Sequence, residues 1–303
     1  MNIRSSFRKD RLLYLMMIPG LAWFILFRYV PMYGVSIAFR DYNIFQGFSN
    51  APFVGLAVFQ KLFGYPDFFM AFRNTIILSI LKLVCGFPIP ILLSLMINEI
   101  RGSKAKKFVQ TAVILPNFFS WVILGNIIYM IFSPGSGAIR SLLSLFGYKG
   151  IIPDLLTNRD TFRMVLVWTD VWKSAGYGTI VYLGVITGID SQLYEAAEID
   201  GAGWLRRIWH ITLAGLRPTI VILFLFRMGG LMHVGFEQIF ILGNPLVRPV
   251  SEVLETYVYR IGMNSRQYSI GTAAGLINSG IGLCLVFLTN KLANRLEPGS
   301  GIM

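Results

Sequence analysis

The chain holds 303 residues, 55% of them hydrophobic and 14% charged, with a mean hydropathy of +0.63, against about 25% charged residues in an ordinary soluble domain. That balance excludes an ordinary soluble enzyme and points to bilayer-spanning helices. The 27 Lys and Arg against 15 Asp and Glu leave a charge of +12, which in a membrane protein is read as sidedness before any nucleic-acid partner is invoked.

Six runs approach the roughly 20 residues a helix needs to cross the hydrocarbon core. The first, 12–39, follows a basic start (Arg4, Arg8, Lys9, Arg11) and contains Ser36-Ile37-Ala38, a small-x-small pattern. The stretch is too long for a signal h-region and five more spans follow, so it reads as an uncleaved first helix kinked at Pro19 and Gly20. The second run, 74–97, carries Lys82. The basic group Arg101, Lys104, Lys106 and Lys107 leads into the third, 108–131, which holds no charge. After Ser133-Pro134-Gly135-Ser136-Gly137, a turn signal, the fourth run, 164–189, places Asp170, Lys173 and Tyr177 on one helical face near Trp168 and Trp172. The fifth, 218–240, contains Arg227 and Glu237. The sixth, 267–290, is uncharged and carries a stripe of Gly271, Gly275 and Ser279 suited to close helix approach.

Six spans put both termini on one side. Loops 1–11, 98–107, 190–217 and 291–303 hold 13 Lys and Arg, and the longer set 40–73, 132–163 and 241–266 holds 10. The denser set is the cytoplasmic one. The expected organisation is a cytoplasmic tail 1–11, one six-helix domain 12–290 and a cytoplasmic tail 291–303, in a bacterial-type cytoplasmic membrane.

The stretch 193–218, LYEAAEIDGAGWLRRIWHITLAGLRP, is too polar to span. Helix formers with early acids precede Gly201 and Gly203, which permit a turn. A second short helix, with Trp204, Ile208 and Ile211 on one face, is expected on the membrane surface. Glu195-Ala196-Ala197, Asp200-Gly201-Ala202, Ile211-Thr212-Leu213 and Pro218 resemble the EAA loop of ABC import permeases. Ala214 stands where members of that family often have proline.

The resemblance extends over residues 12–296 and is nearest the maltose-permease-like carbohydrate branch. Within it, His233-Val234-Gly235-Phe236-Glu237-Gln238-Ile239-Phe240 and Asn244-Pro245 look like the oligosaccharide and polysaccharide-fragment type. It implies an all-α integral membrane protein of the type I ABC importer permease fold. It also implies a coupling helix in which Glu195, Ala196, Ala197, Asp200 and Gly201 transmit motion from an ATPase groove. Substrate contacts in such permeases lie on the helices before and after this loop. That selects Asp170, Lys173, Tyr177, Arg227, Met228, Leu231 and Glu237 as path candidates. Mutual neutralisation of Asp170 and Lys173, or of Arg227 and Glu237, is the plainer alternative.

The implied partners are a second permease chain, two ATPase subunits, an extracellular solute-binding protein, an oligosaccharide and membrane lipid. No Gly-x-x-x-x-Gly-Lys-Ser/Thr occurs, so no cofactor is expected in this chain, and ATP with Mg is assigned to the ATPase partners. His210 and His233 lack a second ligand at metal spacing, and Cys85 and Cys284 lie in apolar runs without a redox pattern. A permease for a glycerol phosphate or polyol is the nearer alternative. A membrane-embedded enzyme is the further one, weakened by the absence of Gly-x-Ser-x-Gly and His-Glu-x-x-His.

Overall fold

The computed structural model describes residues 11–133, 137–147 and 154–296. The basic positions Arg4, Arg8 and Lys9, most of the tail 1–11, the centre of the 133–137 turn and the end of the C-terminal tail lie outside them. Among the described residues the structure is helical, with one isolated bridge between Arg40 and Phe53.

In chain order the α-helices are α1 (Arg11–Phe24), α2 (Ala57–Phe63), α3 (Pro66–Gly86), α4 (Pro88–Asn98), α5 (Ser103–Ile114), α6 (Trp121–Phe132), α7 (Ala138–Leu145), α8 (Arg159–Ile186), α9 (Ser191–Ile199), α10 (Trp204–Arg207), α11 (Leu213–Gly229), α12 (Phe236–Leu242), α13 (Arg248–Ser251), α14 (Leu254–Tyr259) and α15 (Tyr268–Leu296). Among the described residues four helical stretches are long and apolar enough to cross a membrane: Arg11–Phe39, Pro66–Asn98, Trp204–Gly229 and Tyr268–Leu292. The bent pair Ser103–Phe118 and Trp121–Phe132 supplies a fifth if taken as one span.

Two expected spans are therefore not continuous helices. The run 108–131 bends by 105°, because Pro116 tightens Leu115–Phe118 into a 3₁₀ turn and Ser120 starts α6 as an N-cap, accepting from the Ile123 amide at 3.4 Å. The run 218–240 stops at Gly229-Gly230 and resumes as α12 after an irregular segment. Gly235, at φ +105°, turns the chain there, a conformation that costs most residues a steric penalty. Conversely, the short surface helix expected at 204–211 merges into the fifth span. α10 passes through a π-helical turn, Ile208–Thr212, directly into α11.

The chain divides into two compact units, each described by itself. One holds the residues up to Tyr65 together with Val258–Ile277. Its first helix buries no residue of Arg11–Phe24, as expected of a helix whose surroundings are lipid. Arg40 organises the following loop. Its Nη1 donates to the Ala51 carbonyl at 2.9 Å and its guanidinium lies 5.1 Å from the Phe48 ring centre. The Ser269 hydroxyl donates to the Arg40 carbonyl at 2.7 Å. Gly271 packs against Gly262 with no room for a Cβ, whereas Gly275 meets nothing, so only part of the small-residue stripe serves internal packing.

The second unit holds Pro66–Tyr257 and the chain from Asn278 onward. The 28-residue α8 is its axis, packed by α3, α4, α5, α11 and α12. Leu78, Phe162, Leu166, Val167, Val171, Ile239 and Leu242 form the main core, and Tyr182, Ile186 and Leu216 a second cluster. Asp170, Lys173 and several small polar residues dilute the apolar run of α8. Protein groups meet those charges, as intramembrane ionisable residues require. Arg163, near its start, donates from Nη2 to Asn74 Oδ1 at 2.9 Å and from Nε to the Val250 carbonyl at 3.1 Å.

Candidate functional site

The break between α11 and α12 exposes backbone groups that the helix no longer satisfies. Non-helical backbone at membrane depth persists only where protein buries it or a watery cavity receives it. Both conditions are met within the second unit. Ser79 of α3 donates its hydroxyl to the Leu231 carbonyl at 2.5 Å, and Lys82 Nζ, one turn later, donates to the Val234 carbonyl at 2.7 Å. Glu255 accepts from the Gly235 amide at 3.3 Å and pairs with His233 Nδ1 at 2.9 Å.

Beside these contacts lies a cavity of about 320 Å³ lined by Ser79, Lys82, Asp170, Arg227, Leu231 and His233, among others. Asp170 is its hub. Lys82 Nζ lies 3.3 Å from Asp170 Oδ1, and Arg227 Nη2 lies 3.4 Å from Asp170 Oδ2. Gln238 of α12 closes the network behind Lys82. Its Oε1 accepts from Lys82 at 2.5 Å, while its Nε2 donates to the Leu166 carbonyl at 2.7 Å and to Thr169 Oγ1 at 2.8 Å.

Of the path candidates read from sequence, Asp170, Arg227 and Leu231 meet at this cavity. Tyr177 is exposed, two helical turns from Asp170 on the same face of α8. Met228 is half-buried beside Arg227, and Glu237 is exposed on α12 away from Arg227's ion pair. Lys173 neutralises neither Asp170 nor any other acid among the described residues. Its ammonium donates to the Asn117 and Phe119 carbonyls at 3.1 and 2.5 Å and lies 5.6 Å from the Trp121 ring centre, at the bend before α6. Sequence reasoning left Lys82 without a role, noted Gln238 only as part of the 233–240 stretch, and passed over Ser79 and Glu255. A lone lysine in an otherwise uncharged apolar run was the available signal.

The second feature is the polar loop. Asp190 caps α9, accepting from the Gln192 amide at 3.0 Å. At its other end the Gly201 amide donates to the Glu198 carbonyl at 3.1 Å and the Ala202 amide to the Ala197 carbonyl at 2.8 Å. This is a Schellman closure, which requires Gly201's φ of +74°. Tyr194 and Thr212 share a hydroxyl hydrogen bond at 2.9 Å, and Arg207 pairs with Glu198 at 3.1 Å, fixing the start of the fifth span against α9. Glu195, Ala196 and Asp200 are exposed and Ala197 is half-buried. The apolar Leu193, Ile199, Leu205 and Trp209 are also exposed, Ile199 by 87%. A short, rigidly closed helix with bare alanines, an acid and an isoleucine is a surface shaped for another protein.

An all-helical membrane protein with a charged internal cavity and a presented loop helix defines a transport subunit. Residues 86–298 match the family described as "Binding-protein-dependent transport system inner membrane component", and the chain belongs to that family. It is a permease subunit of an ABC transporter, not an enzyme. It is 43% identical over 287 residues to the polygalacturonan/rhamnogalacturonan transport system permease protein YteP of Bacillus subtilis (strain 168), covering 95% of this chain and 89% of that one. It is 40% identical over 293 residues to Protein LplB of the same organism, covering 97% and 92%. Among solved structures, a chain of a bacterial ABC transporter involved in the import of the acidic polysaccharide alginate superposes with a TM-score of 0.90 at 38% identity, covering 97% of this chain and 99% of that one. The same kind of transporter in complex with an alginate pentasaccharide-bound periplasmic protein gives 0.89 at 37% identity, covering 98% and 99%.

Proposed function

We propose that this chain carries an oligosaccharide through the membrane by alternating access and takes its driving motion through α9. The observation that carries the reading is the joint presence of a charged cavity at a broken span and a closed, exposed loop helix leading directly into that same span. A force on α9 passes through the Tyr194–Thr212 and Glu198–Arg207 contacts into α10 and α11, and so to Arg227. Glu195, Ala196, Ala197, Asp200 and Gly201 form the docking and turning parts of the coupling helix. Asp170, Arg227 and Leu231 line the path, with Tyr177, Met228 and Glu237 along it. The name of the relative at 43% identity includes polygalacturonan and rhamnogalacturonan, and the transporter at 38% identity imports the polysaccharide alginate, which supports a carbohydrate cargo.

The assembly comprises a second permease chain, two ATPase subunits that bind ATP and Mg, and an extracellular binding protein. The loop 190–217 and both termini face the cytoplasm, on the basis of the Lys and Arg distribution. The test is ATP hydrolysis by the complex purified with its native neighbours and reconstituted in lipid. It is measured with and without the binding protein across a panel of oligosaccharides. Stimulation by one loaded binding protein is the expected result. A bound ATPase that no oligosaccharide stimulates moves the cargo away from sugars, and absence of any ATPase removes the coupling assignment.

A further inference from the structure

The three ions of the cavity are unequally satisfied. Lys82, with a side chain 5% exposed, spends its donors on Asp170, the Val234 carbonyl and Gln238. Arg227 has five N–H donors in a planar fork. Its Nη2 reaches Asp170 at 3.4 Å, long against the roughly 2.7–2.9 Å of a good charge-assisted bond, and its side chain is 41% exposed. Asp170 is shared with Lys82. Glu255, the other acid of the neighbourhood, is held by His233 and the Gly235 amide. The cavity thus contains a guanidinium with open capacity, engaged at 3.4 Å by a carboxylate that it shares with Lys82.

We infer that Arg227 is the subsite for the carboxylate of an acidic sugar unit, and that Asp170 is the internal carboxylate the cargo replaces on it. This rests on the oligosaccharide-importer reading and adds the charge class of the cargo. A carboxylate entering a low-dielectric cavity needs a cation with unspent donors, because an unpaired buried ion is costly. Arg227 meets that need bidentately, while Lys82 keeps Asp170 neutralised when the guanidinium swings away. A neutral sugar offers Arg227 nothing better than Asp170. At about 320 Å³ the cavity sits at the small end of the roughly 300–1,000 Å³ typical of ligand pockets, so it reads a sugar unit rather than a chain.

The experiment is equilibrium binding to the full transporter complex in lipid nanodiscs, without binding protein. The probes are tri-galacturonate and its fully methyl-esterified form, which differ in charge at matched size. The acid is expected to bind about tenfold more tightly than the ester, the worth of one charge-assisted contact. Arg227→Gln removes that preference by weakening the acid alone, and Arg227→Lys retains part of it. Asp170→Asn strengthens the acid and raises the ratio of acid to ester affinity. Equal binding of acid and ester by the native complex, failure of both to bind, or an Arg227→Gln complex that weakens both equally overturns the subsite. If Arg227→Gln does not assemble, Asp170→Asn decides: an unchanged acid affinity overturns the proposal. Stimulation of ATP hydrolysis by a binding protein loaded with a neutral oligosaccharide, alongside a failed subsite, leaves the importer reading standing. The absence of stimulation by any oligosaccharide fails that reading itself.

Discussion

Lys82 joins α3, α8 and the break before α12 through one ammonium, and its removal tests how far a buried ion holds a broken span together. Lys82→Met leaves Asp170 without its nearer cation and two acceptors, the Val234 carbonyl and Gln238 Oε1, without a donor. Truncating one partner of a buried pair costs about 3–5 kcal/mol, whereas replacing both with apolar residues is frequently near neutral. We expect Lys82→Met to lower the melting temperature of the purified protein markedly, and Lys82→Met with Asp170→Leu to recover only the part due to the unpaired carboxylate, since the Val234 carbonyl and Gln238 Oε1 stay without a donor. A double variant as unstable as the sum of the single changes counts against this shared role. The cluster was half legible in the sequence. Asp170 and Arg227 stood out as charges in apolar runs, but their mutual contact joins residues 57 positions apart. The i, i+3 spacing of Asp170 and Lys173 suggested a local pair that the helix directs elsewhere, since Lys173 points to the bend before α6.

Among the elements, the hydropathy pattern located each apolar run and missed where two of them break. Pro116 marks the bend in the third run, yet proline inside an apolar span is common and carries no angle of its own. What holds the bend is tertiary. Lys173 supplies the freed carbonyls of Asn117 and Phe119, and Gly176 lets α8 approach α5 so closely that a Cβ there falls 2.4 Å from the Val113 carbonyl oxygen and 2.6 Å from Ile114 Cα. Backbone cannot yield as a flexible side chain does. Gly176→Ala is therefore expected to cost about 1–3 kcal/mol through overpacking. Gly184→Ala, two turns on with nothing within 4 Å, is expected to be neutral or stabilising by about 0.5–1 kcal/mol. Thermal unfolding of the two variants side by side checks this, and equal melting temperatures remove the close approach as the cause. Lys173→Met is expected to destabilise the bend by about 1.5–3 kcal/mol, the worth of a hydrogen bond to a charged group. The ratio of acid to ester affinity stays at the native value. A shift in that ratio returns Lys173 to the cargo path.

For the whole molecule, the structure of the polar loop was legible to a degree the cavity was not, because its signal is local. Within Asp190–Ala202 the chain writes its own cap, helix and Schellman closure, with every required contact inside 13 residues. What sequence did not show is that α10 runs on into α11, so the loop leads into the fifth span through continuous helix, the lever of the proposed coupling. That continuity sets the outcome of two substitutions. Glu195→Ala removes an exposed acid, and under the proposed docking one charge-assisted bond to an ATPase partner, worth about 1.5–3 kcal/mol, or roughly a 10- to 150-fold loss of affinity for that subunit. Gly201→Val removes no contact, since nothing lies within 4 Å of a Cβ there, but it forces a β-branched residue to φ +74°. The turn is expected to open, and α9 to lose its fixed relation to the lever while the ATPase still binds. Glu195→Ala then shows weakened co-purification of the ATPase. Gly201→Val shows normal co-purification, continued ATP hydrolysis and loss of stimulation by the loaded binding protein. Both remain membrane-inserted and both fail in uptake. If Gly201→Val retains native stimulation and uptake, motion does not pass through this turn, and α9 is a docking surface alone.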